Sequence, residues 1–156
     1  LRPLGLRLTL VGNALGTLIA ALLLRQVRFF TSTVSTMDVT ISDRVQATVS
    51  GKIHDNPLSI FILAIFCGIL MFTAVEGSRK CKEEKNFAGS LFVVVMPVMV
   101  FIICGFNHCI ADMFYYFFAG CPEPSKAIVY FILAIAGNSV GGMIVPLLKR
   151  LSNQPL

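Results

Sequence analysis

The chain has 156 residues, of which 56% are hydrophobic and only 13% charged, and its mean hydropathy is +0.81. These values exclude an ordinary soluble domain, because such a domain carries a much larger share of charged residues. The formal net charge of +5 comes from basic residues that lie beside apolar runs and not among exposed aromatic residues. This arrangement indicates membrane topology and argues against nucleic-acid binding. We therefore predict an all-α membrane protein whose main solvent is the lipid bilayer.

Four stretches are predicted to be membrane segments of a single transmembrane domain, 1–156. A helix needs about 20 mostly apolar residues to cross a hydrocarbon core of roughly 30 Å. Stretches that meet or approach this length lie at about 8–24, 57–75, 87–118 and 127–148. The polar stretch 31–56 is predicted to be a solvated loop or to lie over the membrane face. The charged run 76–80 is predicted to end the second segment.

The third segment is predicted to be broken near its middle. As one helix, residues 87–120 would reach roughly 50 Å, which is too long for one span and too short for two spans with a turn. The apolar run is interrupted at Gly105, Phe106, Asn107 and His108. Glycine and polar side chains at membrane depth are typical of broken helices that line a cavity.

An internal repeat relates the first and last segments. Residues 12–25 align without gaps with residues 137–150, seven of the fourteen positions are identical, and both copies contain Gly-Asn-x-x-Gly. The copies lie three predicted spans apart and so cross the membrane in opposite directions, which defines an inverted-topology repeat. A three-span unit makes 57–148 a complete second repeat and predicts two upstream spans that are absent from this chain. The alternative to a repeat is a chance match between two apolar helices. Asn13 and Asn138 either line a pore or hydrogen-bond between helices that the glycines bring close together.

Lysine and arginine residues are distributed unequally between the two predicted sides of the membrane. One side carries eight of them, which are Arg2, Arg7, Arg79, Lys80, Lys82, Lys85, Lys149 and Arg150. The other side carries Lys126 and a longer loop in which Arg25, Arg28, Arg44 and Lys52 are diluted by aspartates. Because cytoplasmic loops carry an excess of Lys and Arg, we predict a multi-pass protein of the cell membrane with both termini cytoplasmic.

His108 and Asp112 are ionisable residues four positions apart within an apolar run. Ionisable residues at hydrocarbon depth usually face a bundle interior or an aqueous cavity and are functional candidates. The structural alternative is a hydrogen-bonded histidine beside an aspartate that caps the second half-helix. Phe101 precedes His108 by seven residues, so in a regular helix it would share the same face. It could form an apolar gate there, although core or lipid packing is the commoner use of phenylalanine.

Motifs for catalysis are missing from the sequence, which contains no nucleophile motif, phosphate-binding glycine loop or pair of catalytic carboxylates. We therefore predict that the protein is not an enzyme and has no cofactor. A zinc site could be assembled by residue type from His108, Cys104, Cys109 and Cys121, but their spacing fits no familiar zinc pattern. A metal-binding membrane enzyme is therefore the hypothesis that the sequence supports least.

One ten-residue run resembles the G-F-E-H-S-x-A-N-M-F signature of the formate/nitrite transporter family. It reads Gly105-Phe106-Asn107-His108-Cys109-Ile110-Ala111-Asp112-Met113-Phe114. Two other runs, Lys52-Ile53-His54 and Gly68-Ile69-Leu70, resemble the region of that family's fourth span. The two Gly-Asn-x-x-Gly helices resemble its third and sixth spans, so the resemblance covers nearly the whole chain.

This resemblance implies an aquaporin-like bundle of inverted three-helix repeats, with one helix broken at mid-membrane, assembled as a homopentamer with one pore per protomer. It implies passage of small monovalent weak-acid anions such as formate, nitrite or hydrosulfide, either passively or coupled to protons. By resemblance, His108 lies midway along the pore between two apolar constrictions, Phe101 lines one of them, and Asn138 lies near the histidine. Lys52 contributes positive potential on the extracellular side. The predicted pore residues are His108, Phe101, Asn138, Phe106, Asn107, Phe72 and Lys52.

Three residues depart from the family pattern. Asn107 replaces a glutamate, Asp112 replaces an asparagine, and Phe72 stands where the fourth span usually has a pore-side asparagine. These departures leave the transported anion open and indicate a divergent branch. They also support a second hypothesis, a non-conducting structural or regulatory membrane subunit of the same fold whose pore is sealed by Phe72 and Phe101.

Overall fold

The computed structural model describes residues 3–27 and 39–152. Its secondary structure in these ranges is helical and without strands, so the prediction of an all-α protein is confirmed. The helices there are α1 (Pro3–Leu24), α2 (Ile41–Ile53), α3 (Pro57–Glu83), α4 (Phe87–Ile103), α5 (Cys109–Phe118) and α6 (Pro124–Leu151). Arg2, Arg28 and the polar residues 31–38 lie outside the described ranges. The aquaporin-like arrangement stays a prediction.

Helices α3 and α6 are each long and apolar enough to cross a membrane. Shorter apolar helices in the described part are Leu8–Leu24 within α1, and α4 and α5. Many of their large apolar side chains are more than half exposed, including Leu15, Ile19, Ile128 and Ile132. Apolar helices that expose such side chains are typical of proteins surrounded by lipid or by other protein chains.

The helices are grouped in two compact units. The first unit, Leu1–Asp55 with Cys109–Tyr130, contains α1, α2 and α5, and α5 packs against both of the others. The second unit, Asn56–His108 with Phe131–Leu156, contains α3 and α4, which pack against each other. Helix α6 begins in the first unit and continues in the second.

Helix α2 lies within the polar stretch 31–56, which the sequence predicts to be a solvated loop or to lie over the membrane face. The Thr40 hydroxyl accepts a hydrogen bond from the Asp43 N–H at 3.1 Å, and the Asp43 carboxylate accepts one from the Thr40 N–H at 3.0 Å. This capping box satisfies backbone donors at the start of the helix. The loop prediction is therefore wrong for residues 41–53, and Lys52 lies in the last turn of a helix. A position over the membrane face stays a prediction.

Helix α3 continues for eight residues beyond Val75, through the charged run that is predicted to end it, and stops at Glu83. Within the extension, Arg79 forms ion pairs with Glu76 at 2.7 Å and Glu83 at 3.0 Å, at the spacings that place side chains together on one helix face and support a helix. The helix therefore extends beyond the predicted segment, and the end of the membrane segment at residues 76–80 stays a prediction. Charged residues mark a change of solvent, which does not require the helix to stop.

Helices α3 and α6 approach so closely that their backbones are in contact. A Cβ atom at Gly141 would overlap the Ile65 carbonyl oxygen, and one at Gly68 would overlap the backbone of α6. At Gly137, a Cβ atom would lie 2.6 Å from the Ala64 Cβ, well inside van der Waals contact. Small residues permit this kind of helix packing. The glycines of the second Gly-Asn-x-x-Gly copy therefore allow the close helix packing that the sequence predicts as one of its alternatives.

We expect Gly141→Ala to destabilise the protein, because the added methyl group meets the Ile65 carbonyl oxygen and forces the helices apart. Overpacking of this kind typically costs about 1–3 kcal/mol. Gly142→Ala is the matched control, since a Cβ atom there would lie 3.9 Å from the Gly68 carbonyl oxygen, an ordinary contact. Thermal unfolding in detergent measures both variants, and equal melting temperatures would contradict the described packing.

Candidate functional site

The segment 104–108 ends helix α4 before α5 begins. The Phe106 N–H donates to the Phe101 carbonyl at 3.0 Å, and the Gly105 N–H donates to the Ile102 carbonyl at 3.2 Å. These two bonds form a Schellman motif, which places a left-handed residue directly after the helix. Gly105 holds that position with φ of 68°, a conformation without steric penalty for glycine. The helix thus has a defined stop at the residues where the sequence predicts an interruption.

Asn107 fixes this segment to its neighbours. Its side chain is 2% exposed, and its amide nitrogen donates to the Ile60 carbonyl of α3 at 3.2 Å. The Asn138 amide of α6 donates to the carbonyls of Asn107 and Ala64, both at 2.8 Å. The backbone immediately before His108 is therefore tied to both α3 and α6. An amide serves here because it can donate to a carbonyl, which an ionised glutamate cannot.

Aromatic rings surround the interruption in the second unit. The half-buried His108 lies with its ring centroid 5.4 Å from that of Phe101, at an interplanar angle of 36°. Phe106 stacks on Phe66 of α3, with centroids 5.8 Å apart. Phe72, half-buried on the same helix, keeps its pore role as a prediction. The contact of Phe66 was missed by sequence reasoning, because one more phenylalanine in an apolar helix carries no distinguishing signal.

A buried ion pair lies in the first unit. Lys52 Nζ of α2 is 3.3 Å from Asp112 Oδ1 of α5, and the two side chains are 17% and 6% exposed. The Tyr130 hydroxyl of α6 donates to Asp112 Oδ2 at 2.5 Å. Lys52 and Asp112 were candidates for separate reasons, whereas Tyr130 was missed because nothing local marks it. We call these three residues the Lys52–Asp112–Tyr130 cluster.

A second, exposed group of charges lies near the end of α2. Lys126 Nζ is 2.8 Å from Glu123 Oε2 and 2.7 Å from His54 Nε2. Since an ammonium group only donates, His54 Nε2 accepts, and the ring proton on Nδ1 is donated to the Ser50 carbonyl at 2.9 Å. The hydrogen bond from Lys126 lowers the pKa of the Glu123 carboxyl below its ordinary 4.5, and the positive charge of Lys126 acts in the same direction.

Metal binding finds no support in the described part of the chain. Residues 3–27 and 39–152 contain no group of three or more His, Cys, Asp or Glu side chains that could hold a metal ion. Two members of the zinc hypothesis, Cys104 and Cys121, are exposed to the surroundings. The hypothesis of a metal-binding membrane enzyme therefore gains nothing from the geometry.

Apolar helices, a helix stop closed by a Schellman motif within an apolar run, and glycine-mediated helix packing are together typical of an α-helical membrane protein. The chain belongs to the formate/nitrite transporter family, because the family model with that description matches residues 5–150. The resemblance seen in the ten-residue signature is thereby confirmed. Since the family consists of transporters, the prediction that the chain is not an enzyme is confirmed as well.

Three curated relatives match different lengths of the chain. A formate channel of Haemophilus influenzae, FocA, is 37% identical over 70 residues, which are 45% of this chain and 24% of that protein. The uncharacterized transporter YrhG of Bacillus subtilis is 30% identical over 135 residues, 85% of this chain and 48% of that protein. The formate channel BtFdhC of Bacillus thuringiensis is 28% identical over 103 residues, 64% of this chain and 39% of that protein. The chain thus spans about half the length of these relatives or less, and no solved structure matches it.

We expect Asn138→Asp to destabilise the protein more than Asn138→Ala. Alanine removes the amide donor used by the Ala64 and Asn107 carbonyls, and removing one partner of buried groups costs about 1–3 kcal/mol. Aspartate also places an acceptor against two acceptors. Ser139→Ala is the matched control, since the exposed Ser139 donates to the Ile135 carbonyl of its own helix. Thermal unfolding would contradict this bonding scheme if the alanine variant at 138 melted below the aspartate variant.

Glu123→Gln is expected to lower the melting temperature slightly at neutral pH and to have no effect in acid. Because the folded-state pKa of Glu123 lies below its ordinary 4.5, its contribution is present above that value and is lost as the pH falls through the lowered pKa. Melting temperatures of both proteins across a pH series test this. Glu84→Gln, at another exposed acid, is the control. A difference between wild type and Glu123→Gln that persisted or grew in acid would contradict the assigned cause.

Proposed function

We propose that this chain is part of a membrane channel or transporter for small monovalent weak-acid anions, namely formate, nitrite or hydrosulfide. The observation that carries the proposal is the family match across residues 5–150. The names of two relatives as formate channels point to the same class of substrate. We propose further that the protein is a multi-pass homopentamer of the cell membrane with both termini cytoplasmic.

The proposed mechanism follows from the cost of moving charge through an apolar constriction. A bare anion crosses such a constriction at high cost, because nothing replaces the water that solvated it. Formate, nitrite and hydrosulfide are conjugate bases of weak acids, so one proton converts each into a neutral molecule. A donor beside the constriction can therefore lower the barrier, either by a hydrogen bond or by transferring a proton.

His108 is the proposed donor. The protonated imidazole gives its proton to the anion, the neutral acid passes the apolar constriction, and the neutral ring regains a proton from the aqueous side. This role is supported by the half-buried position of His108 in the interruption and by the Phe101 ring beside it. Phe101 is proposed to line one constriction and Phe72 to line the pore, while Asn107 and Asn138 are proposed to hold the donor in place. Lys52 is the proposed source of positive potential on the extracellular side.

Uptake of labelled formate into proteoliposomes at two pH values tests the proposal, with nitrite and hydrosulfide as competitors. We expect saturable or pH-dependent uptake that falls roughly a hundredfold in His108→Ala, about the loss expected when a positioned acid is removed. His54→Ala is the matched control, because the chain contains two histidines and His54 is exposed. Uptake by that control should equal uptake by the wild type.

The assay is run in parallel on a hybrid that supplies the two spans predicted upstream, because the chain spans about half the length of its relatives. Flux that survives in His108→Ala would overturn the role of the histidine. Absence of flux from both the chain and the assembled hybrid would overturn the transport function and favour the non-conducting subunit.

A further inference from the structure

The Lys52–Asp112–Tyr130 cluster has the geometry of a bound carboxylate. Asp112 Oδ1 lies 3.3 Å from the Lys52 ammonium nitrogen, and Oδ2 lies 3.5 Å from the same nitrogen. Oδ2 also accepts the Tyr130 hydroxyl hydrogen bond at 2.5 Å, a short distance that is typical of a charge-assisted bond. One cationic donor and one hydroxyl donor are thus directed at the two oxygens of one carboxylate.

Burial makes these donors selective for negative charge. The Lys52 and Asp112 side chains are 17% and 6% exposed, and Tyr130 is 2% exposed. A lysine ammonium buried without an anion would carry a large desolvation penalty, which an opposite charge at contact distance offsets. The Lys52 ammonium group is therefore stabilised by a neighbouring anion, and Asp112 supplies one from within the chain.

We propose that Asp112 is a specificity-determining residue, whose carboxylate occupies donors that would otherwise bind a transported anion. A carboxylate tethered within the same chain competes intramolecularly, so a free anion must be present above its effective concentration to displace it. Asp112 thus lowers the affinity of this chain for external anions at Lys52. This inference rests on the proposed transport function.

The arrangement of donors also selects a class of anion. Because Lys52 Nζ lies within 3.5 Å of both oxygens of Asp112 and Tyr130 donates to one of them, the anion that best replaces this carboxylate has two acceptor oxygens on one atom. Formate and nitrite have this shape, whereas hydrosulfide offers a single, weaker acceptor. Removal of the Asp112 carboxylate should therefore increase affinity for formate and nitrite more than for hydrosulfide.

Two substitutions at Asp112 test this inference by formate uptake. Asp112→Asn removes the charge with little change in volume, and Asp112→Ser also opens space. We expect each to lower the KM for formate and nitrite roughly tenfold, about the effect of one hydrogen bond to a charged group. The change for hydrosulfide should be smaller. Asp55→Asn is the control, since it removes the same charge at the end of α2 outside the cluster.

Lys52→Met determines whether the effect depends on the lysine. In the Lys52→Met background, Asp112→Asn should no longer lower the KM, and an equal fall there would overturn the inference. Unchanged KM values in both Asp112 variants of a conducting wild type would overturn it while leaving the proposed function intact. Absence of flux from the wild type in every assembled form would overturn the proposed function and this inference together.

Binding measured without flux provides a second readout. We expect added formate to raise the melting temperature of Asp112→Ser at concentrations that leave the wild type unchanged, because a ligand stabilises the folded state that binds it. A variant that assembles only when formate is present during purification meets the same expectation. Failure of formate to stabilise the variant, or to rescue its assembly, would overturn the inference.

Discussion

The backbone of an interrupted helix must find hydrogen-bond partners within the protein, because hydrocarbon offers none. In this chain the requirement falls on residues 104–108. The Schellman motif at Gly105 satisfies the end of α4, and the Asn138 amide reaches the carbonyl of Asn107. The amide of Asn107 in turn reaches the Ile60 carbonyl. The position of His108 depends on these bonds, since they fix the chain on its N-terminal side.

The same constraint explains why helices α3 and α6 are in backbone contact. The Asn138 side chain is short, so its amide reaches both the Ala64 and Asn107 carbonyls only where the two helices lie close together. Gly137 and Gly141 remove the side chains that would keep them apart. In the second Gly-Asn-x-x-Gly motif, the glycines thus allow α3 and α6 to lie close together, and the asparagine forms the hydrogen bonds that this short distance permits.

Features of the fold and of the candidate site were predictable from the sequence where the residues that form them are close together in the chain. The interruption was predictable because Gly105 and its polar neighbours are adjacent in the sequence. The continuation of α3 to Glu83 was not predicted, although Glu76, Arg79 and Glu83 have the spacing of helical ion pairs. Helix α2 was missed because its serine, threonine and aspartate residues also favour turns. Its capping box, Thr40 with Asp43, was the available signal.

The contacts of Asp112 were beyond prediction from local pattern. Lys52 lies 60 residues away in the sequence and Tyr130 lies 18 residues away, each on a different helix from Asp112, so no periodicity within one helix connects them. The sequence did mark Asp112 as a departure from the family signature, with a negative charge in place of an amide. Its partners became visible only when the fold brought α2, α5 and α6 together.

The energetics of the Lys52–Asp112 pair favour a role in specificity over a role in stability. Desolvation of two charges offsets much of their attraction, so a buried ion pair often contributes no more than apolar residues of similar volume would. A chain that needed only stability could place an apolar pair between α2 and α5. The chain instead has a lysine there, with the Asp112 carboxylate against it and the Tyr130 hydroxyl bonded to that carboxylate. This arrangement is explained if the lysine charge itself has a function. Under the proposed transport function, that use is the binding of an anion, and we propose that Asp112 sets how strongly an external anion must compete for it.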